Sequence, residues 1–399
     1  MNRKLSKISL AVMGSVWVAA ASAADLGPQP GVAFYPKTIN AGAFEIMPWV
    51  GLSVGNNSNV GLSNAVKTSS SFTLLNPNVI IGLPTHGQFY GAKYSGTLGR
   101  FSGSGVDNYN DHNFGLMADN VWSARFNSLL NADYVKGHDG RNALLFRNKE
   151  IWHSSGFNAM GHYGAKEATG QFELSAGKHY KRYDSNNSDS TQFYNLDKTD
   201  LTGTFFYKVA PATRLFVEAD QSKFAYLDAA SKRLDSTEQR YMLGVTWDAT
   251  AKTTGSAKIG TMKKKFDLGL LPSGTSTVWD AEIKWSPKTY SVVDLSMHQK
   301  ANEYGGGTGS YIISRETDLQ WTHDWSGYVT TALSLGDATD AFVGSARNDK
   351  RQTYGLKAMY GFRTWLRAGL GYTHTRRNSS VPINSYTQDV TMLTLEGSL

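Results

Sequence analysis

The sequence predicts an all-β protein: a transmembrane antiparallel β-barrel of about eighteen strands (sixteen to eighteen), preceded by an N-terminal signal peptide. Three observations predict it. Apolar and polar residues alternate with a period of two from Phe44 to Leu399, with no helical stretch and no linker. The links between alternating segments are short and long in turn, as in a barrel with tight turns on one rim and loops on the other. Forty glycines, twenty tyrosines and ten tryptophans accompany a mean hydropathy of −0.36. That pairing fits a sheet in which only alternate residues face lipid.

The chain opens with Arg3, Lys4 and Lys7, an apolar run from Ile8 to Ala20, and Ala21-Ser22-Ala23. This is the three-part build of a secretory signal, with cleavage expected between Ala23 and Ala24. The run is shorter than the roughly 20 apolar residues a spanning helix needs. The expected organisation is a signal peptide over 1–23, a periplasmic segment over 24–43 and one barrel domain over 44–399. The absence of cysteine excludes disulfides and a lipid-anchored start. Three of the formal +7 charges belong to the signal, and the remaining +4 gives no support to nucleic-acid binding.

Individual strands carry the expected pattern. In Trp279-Asp280-Ala281-Glu282-Ile283-Lys284-Trp285 apolar and charged residues alternate, with tryptophan at both ends of the apolar face. Tyr241, Leu243, Val245 and Trp247 form a similar face, and so do Phe172, Leu174 and Ala176, and Leu366, Ala368, Leu370 and Tyr372. Trp279, Trp285, Tyr241, Trp247 and Tyr372 are therefore aromatic-girdle candidates. Short links are expected near Thr85, Ser123, Glu167, Pro211, Ala251, Pro287, Trp325 and Thr364. Longer polar links fall between them, including Gly137 to Ile151, Gly269 to Thr275 and Gly336 to Lys350. Nine long and eight short links place both ends of the barrel on the short-turn rim. A soluble sandwich or solenoid also alternates, but a sandwich of this length would divide into domains. The last strand presents Thr391, Leu393, Leu395, Gly397 and Leu399 on one face, which suits closure against the first strand and resembles the terminal signal read by outer-membrane assembly machinery.

With the polar faces turned inward, the lumen and selectivity candidates are Lys181, Lys208, Arg214, Lys258, Lys264, Lys284, Lys300, Lys357, Arg363 and Arg367. The matching acids are Glu173, Glu218, Asp220, Asp280, Glu282, Asp294, Glu316 and Asp318. Rings of cations select anions, whereas mixed signs can pair into a lattice that stiffens the wall. Phe206 and Tyr183 are candidates for stacking on sugar rings. Catalysis has little support: Asp294, Ser296 and His298 share a face, and His138-Asp139 lies at a loop edge, but there is no nucleophile elbow and no zinc-binding spacing. No cofactor is implied. Gly305 to Gly309 lacks the strand-to-helix context and following lysine of a phosphate cradle. Lys263-Lys264-Lys265, at the outer end of a strand, is placed to meet lipid phosphates or to be a solvated rim.

Three loop motifs carry a family resemblance: Gly137-His138-Asp139-Gly140-Arg141, Ala346-Arg347-Asn348-Asp349, and Arg376-Arg377-Asn378-Ser379 leading to Tyr386. On these, and on the layout from about Phe34 onward, the chain resembles the EpsL-like, exopolysaccharide-associated outer-membrane barrels among the β-barrel porins. The resemblance implies a non-enzymatic Gram-negative outer-membrane protein linked to capsule or exopolysaccharide export. Its implied partners are outer-membrane lipid and lipopolysaccharide, the assembly machinery, and polysaccharide biosynthesis and export proteins. Two other classes stay open at this point, a plugged docking barrel and an outer-membrane hydrolase.

Overall fold

The structure, a computed structural model, describes residues 37–142, 148–184, 191–250, 252–304 and 309–398. The signal peptide with its Ala23/Ala24 junction, the stretch Gly305 to Thr308 and the terminal Leu399 lie outside the described residues. After a three-residue strand β1 (Ile39–Ala41) come eighteen long ones: β2 (Phe44–Asn57), β3 (Ser70–Pro84), β4 (Gln88–Phe101), β5 (Tyr109–Val121), β6 (Phe126–Asp139), β7 (Glu150–Tyr163), β8 (Gly170–Tyr183), β9 (Leu196–Ala210), β10 (Thr213–Tyr226), β11 (Ser236–Thr250), β12 (Thr253–Phe266), β13 (Gly274–Lys288), β14 (Ser291–Glu303), β15 (Tyr311–Asp324), β16 (Val329–Val343), β17 (Asn348–Arg363), β18 (Leu366–Ser379) and β19 (Tyr386–Ser398). Each pairs antiparallel with the next, and β19 pairs with β2 from Ser398↔Trp49 to Val390↔Asn57. The eighteen strands therefore close into a barrel without a free edge.

The side-chain period of two sorts the sequence into two surfaces. Val50, Leu52 and Val54 on β2, Leu201, Phe205 and Tyr207 on β9, and Leu393 and Leu395 on β19 point outward and are exposed. They form an apolar belt. Trp122, Tyr163, Trp285, Trp325, Tyr328 and Phe362 ring it at the short-turn rim. The opposite parity, such as Ser53 bonded to Thr394 (2.9 Å), faces the lumen. Strand β1 folds back on Phe44–Ile46 through Gly42, whose φ of +64° suits glycine. Lys37 N–H donates to Ser398 Oγ (2.9 Å), so the start of the described chain meets its last strand at the short-turn rim.

The links fall where the sequence places them, with one shortened. β16 continues to Val343 and β17 begins at Asn348, so the Gly336–Lys350 link contracts to 344–347. The Asp- and Asn-containing ends of these strands read as loop. They pair nonetheless, Asp340 opposite Asp349 and Ala341 opposite Asn348.

The β2–β19 seam is tightest at Gly55, where a Cβ would overlap the Thr391 carbonyl oxygen and stand 2.6 Å from the Phe72 ring. Gly55→Ala is expected to destabilise the barrel by about 1–3 kcal/mol, the usual cost of overpacking. The temperature at which the folded band converts to the unfolded one on a gel should fall. Gly371→Ala, which meets only Met392 Cγ at 3.5 Å, should leave it in place. Equal midpoints for both variants would show that the seam is not tight there.

Candidate functional site: the lumen and its long-loop mouth

Cross-strand register assembles two rows of inward groups. The first runs Lys258, Asp280, His298, Glu316, Ala338 and Arg351 over β12 to β17. His298 Nε2 lies 3.1 Å and Arg351 Nη2 3.8 Å from Glu316. The second runs Lys93, Gly115, Asp133, Gly156, His179 and Lys198 over β4 to β9. A Cβ at Gly156 would stand 2.6 Å from Asp133 Oδ1 and 2.7 Å from His179 Nδ1, so both side chains lie flat along the wall above that glycine. Asp200 joins this row, 3.5 Å from His179 and 3.3 Å from Lys198. Lys93, Asp133, Lys198 and Asp200 escaped the sequence inventory. The register set by the short turns is the signal that finds them.

Four of the ten predicted cations reach a carboxylate. Lys258 donates to Glu218 (2.9 and 3.1 Å), Lys264 to Glu303 (2.5 Å), Arg367 to Glu396, and Lys208 to Glu167 on the short turn after β7 (2.6 Å). The Lys208 hydrogen bond holds the exposed Glu167 carboxyl below its ordinary value. Arg214 donates to the Lys166 carbonyl (2.6 Å). Lys181 sits 4.4 Å above the Trp152 ring and 4.8 Å above Tyr183. Lys357 is inward and buried. Lys284 and Lys300 point inward and stay exposed, with no carboxylate within 4.0 Å among the described residues. Arg363 lies instead at the end of β17, exposed, with its guanidinium on the Phe362 carbonyl.

Among the girdle candidates, Trp285, Tyr241 and Tyr372 are outward and exposed, while Trp247 and Trp279 are outward and half-buried. Tyr183 is no open platform, because it is buried, donates to Asp139 (2.8 Å) and meets Tyr194 edge-on. Phe206 pairs with Phe216 (5.4 Å between centroids). Asp294, Ser296 and His298 do not form a relay: His298 turns to Glu316, and Asp294 stands opposite Lys284. His138 faces Asp111 (3.0 Å) and stacks on Tyr109.

The long-loop mouth is built from packed side chains. The β13–β14 ladder stops at Trp279↔Gln299, and beyond it the end of the β14–β15 pair leaves the wall. Neighbouring Tyr311 and Ile312 point to opposite faces, yet each is 2 % exposed. One face packs on Met262, Phe266 and Val278, the other on Tyr304 and Phe342. Leu271, from the β12–β13 loop, packs against that first cluster and against the one formed by Leu196, Phe224, Tyr226 and Leu234. Glu303 is the polar fastening, accepting from Lys264 and, across four strands, from the Tyr226 hydroxyl (2.9 Å). Lys264 is fully buried, with Glu238 at 3.7 Å and the Phe224 ring at 4.0 Å.

The three loop motifs meet on the other side of the mouth. Asp139 accepts from Trp152 Nε1 (3.0 Å), and Arg141 grips Asp107 through two bonds (2.8 and 2.6 Å) that hold its guanidinium above its ordinary pKa. Asn142, at φ +54°, donates to the Gly61 carbonyl (2.7 Å) and accepts from Arg377 (2.9 Å). Arg377 also lies over Tyr386, and Asp349 accepts from Arg347 (2.6 Å) and Ser379 (2.5 Å). Loops after β2, β4 and β6 are thus tied to β18.

The family described as Putative beta-barrel porin 2 matches residues 32–398, and the chain belongs to it. No curated protein matches the chain. Similar solved structures include a BenF-like porin from Pseudomonas fluorescens Pf-5 (10 % identity, 89 % of this chain and 99 % of that one, TM-score 0.49). Acinetobacter baumannii OccAB4 (11 %, 88 % and 97 %, 0.45) and the FrpB iron transporter of Neisseria meningitidis in its apoprotein form (12 %, 83 % and 61 %, 0.48) are others. The chain spans about three-fifths of the length of the FrpB structures. At these identities the likeness concerns the fold alone.

Two variants test the mouth. Lys264→Met removes the buried cation held between Glu238 and Glu303 and is expected to cost about 3–5 kcal/mol, part of it recovered by adding Glu303→Leu. Urea unfolding of the four proteins of that cycle measures the coupling, and wild-type stability in Lys264→Met would contradict it. Arg377→Gln should speed amide exchange around Gly61 and Asn142 by about tenfold or more, the loss of a charged hydrogen bond, with the barrel strands unchanged.

Proposed function

We propose that this porin-family barrel is a passive, non-enzymatic channel of a Gram-negative outer membrane for polar solutes, and that hydroxyl-rich sugars of the exopolysaccharide class are its cargo. The carrying observation is the lumen wall. Its rows carry both signs, with Lys258, His298, Arg351, His179 and Lys198 each beside a carboxylate, while Glu282, Lys284, Lys300 and Asp318 remain exposed toward the interior. Such a wall hydrates a neutral or mildly charged solute without trapping it. The family resemblance is the support for the exopolysaccharide assignment. The apolar belt and aromatic rim support membrane residence, with the long loops outside the cell.

The buried Tyr311 and Leu234 and the half-buried Leu271 at the mouth favour a second reading, a plugged barrel that docks export partners. Osmotic swelling of proteoliposomes separates the two. Entry of neutral mono- and disaccharides at rates above protein-free vesicles is expected for the channel. Folded, inserted protein without solute entry would favour docking. Lys284→Gln with Lys300→Gln should move the reversal potential in a salt gradient toward cation preference, and an unmoved potential would remove these two residues from any selectivity role.

A further inference from the structure

The lipid-facing side of the barrel is uneven at its long-loop end. Register carries one outward row across five strands: Lys178 on β8, Thr199 on β9, Lys223 on β10, Thr237 on β11 and Lys265 on β12. Strands stand about 4.8 Å apart, so successive lysines of the row are about 10 Å apart. Lys263, two residues from Lys265 on the same face, sits about 7 Å nearer the apolar belt. All four lysines are exposed, and among the described residues no carboxylate lies within 4.0 Å of any of their ammonium groups. Their inward neighbour Lys264 has two carboxylates. Across the barrel, on the outward side near the same rim, Lys350 pairs with Asp337 (3.4 Å) and His374 faces Asp389 (2.8 Å), while the exposed Arg376 donates to Asn378 Oδ1 (3.1 Å).

Four like charges gathered on one face repel one another unless an anion lies among them. Hydroxyl and amide groups fill the places between, Thr199 and Thr237 in the row and Gln221 bonded to Gln239 (3.1 Å) below it. Directly beneath, on the same outward face, come Leu201, Tyr241, Leu243 and Ile259, all exposed. A soluble anion would meet the lysines alone, whereas a lipid meets both layers.

The geometry points to a binding site for a phosphorylated lipid of the leaflet at the long-loop end, on the outer face of β8 to β12. Its phosphates lie among Lys178, Lys223, Lys263 and Lys265, and its acyl chains run along Leu201, Leu243 and Ile259. The site rests on the membrane-spanning reading above, and it is independent of whether the lumen conducts.

The test is native mass spectrometry of the refolded protein with lipid A, with lipid A stripped of its phosphates, and with inorganic phosphate. Wild type should retain lipid A over the stripped form. K178Q/K223Q/K263Q/K265Q should lose about a hundredfold or more of that retention, at a factor of about five for each lysine facing an anionic surface. Equal retention of the two lipids by wild type, or unchanged retention by the quadruple variant, would overturn the site. Inorganic phosphate displacing lipid A at equal concentration would overturn the assignment to a lipid. Swelling of vesicles containing the quadruple variant should match wild type. Loss of lipid selection with intact solute entry defeats this inference alone, and intact selection without solute entry defeats the channel alone.

Discussion

A chain inside a bilayer must pair every backbone N–H and C=O with another part of itself, and for strands this means a sheet that closes. Here the β19–β2 seam meets that demand, and Gly55 lets the two backbones approach. Once the ring is closed, parity fixes the destination of each side chain. Moving the seam by one residue would exchange the lipid face for the lumen face in the strands it carries. The apolar belt, the charge rows and the basic outward row all depend on this one constraint.

Within the ring, the lumen accepts charges that the belt could not. The inward row from Lys258 to Arg351 carries both signs, and glycines such as Gly156 give polar side chains room to lie along the wall. Pairing with carboxylates withdraws Lys208, Lys258, Lys264 and Arg367 from a simple anion filter. Lys284 and Lys300 are left facing the interior. Narrowing is assigned to the mouth, where the end of β14–β15 is fastened by Glu303 and the loops are tied by Arg141, Asn142 and Arg377.

Strand count, link positions and the inward or outward sense of each strand were legible in the sequence because a period of two and a tight turn are local signals. Trp279 to Trp285 is the plainest case. Pairing was less legible: Lys258 and Glu218 are forty residues apart and meet only once the registers of β10, β11 and β12 are known. The mouth was the least legible part. Nothing local tells that Asn142 reaches Arg377, 235 positions away, or that Glu303 at a strand end accepts from Tyr226. Asp340 and Asp349 read as loop residues, since a lone aspartate signals a turn more strongly than an inward strand position.

The proposed channel is a water-filled path through the barrel, narrowed by the packed long-loop mouth. Single-channel recording of the refolded, signal-free protein in a planar bilayer tests it most directly, with wild type compared against the Lys264→Met/Glu303→Leu pair. Discrete, ohmic steps are expected for wild type, and larger steps when the fastening of β14–β15 is removed. A barrel that inserts, shows its heat-dependent gel shift and stays silent in both forms would contradict it.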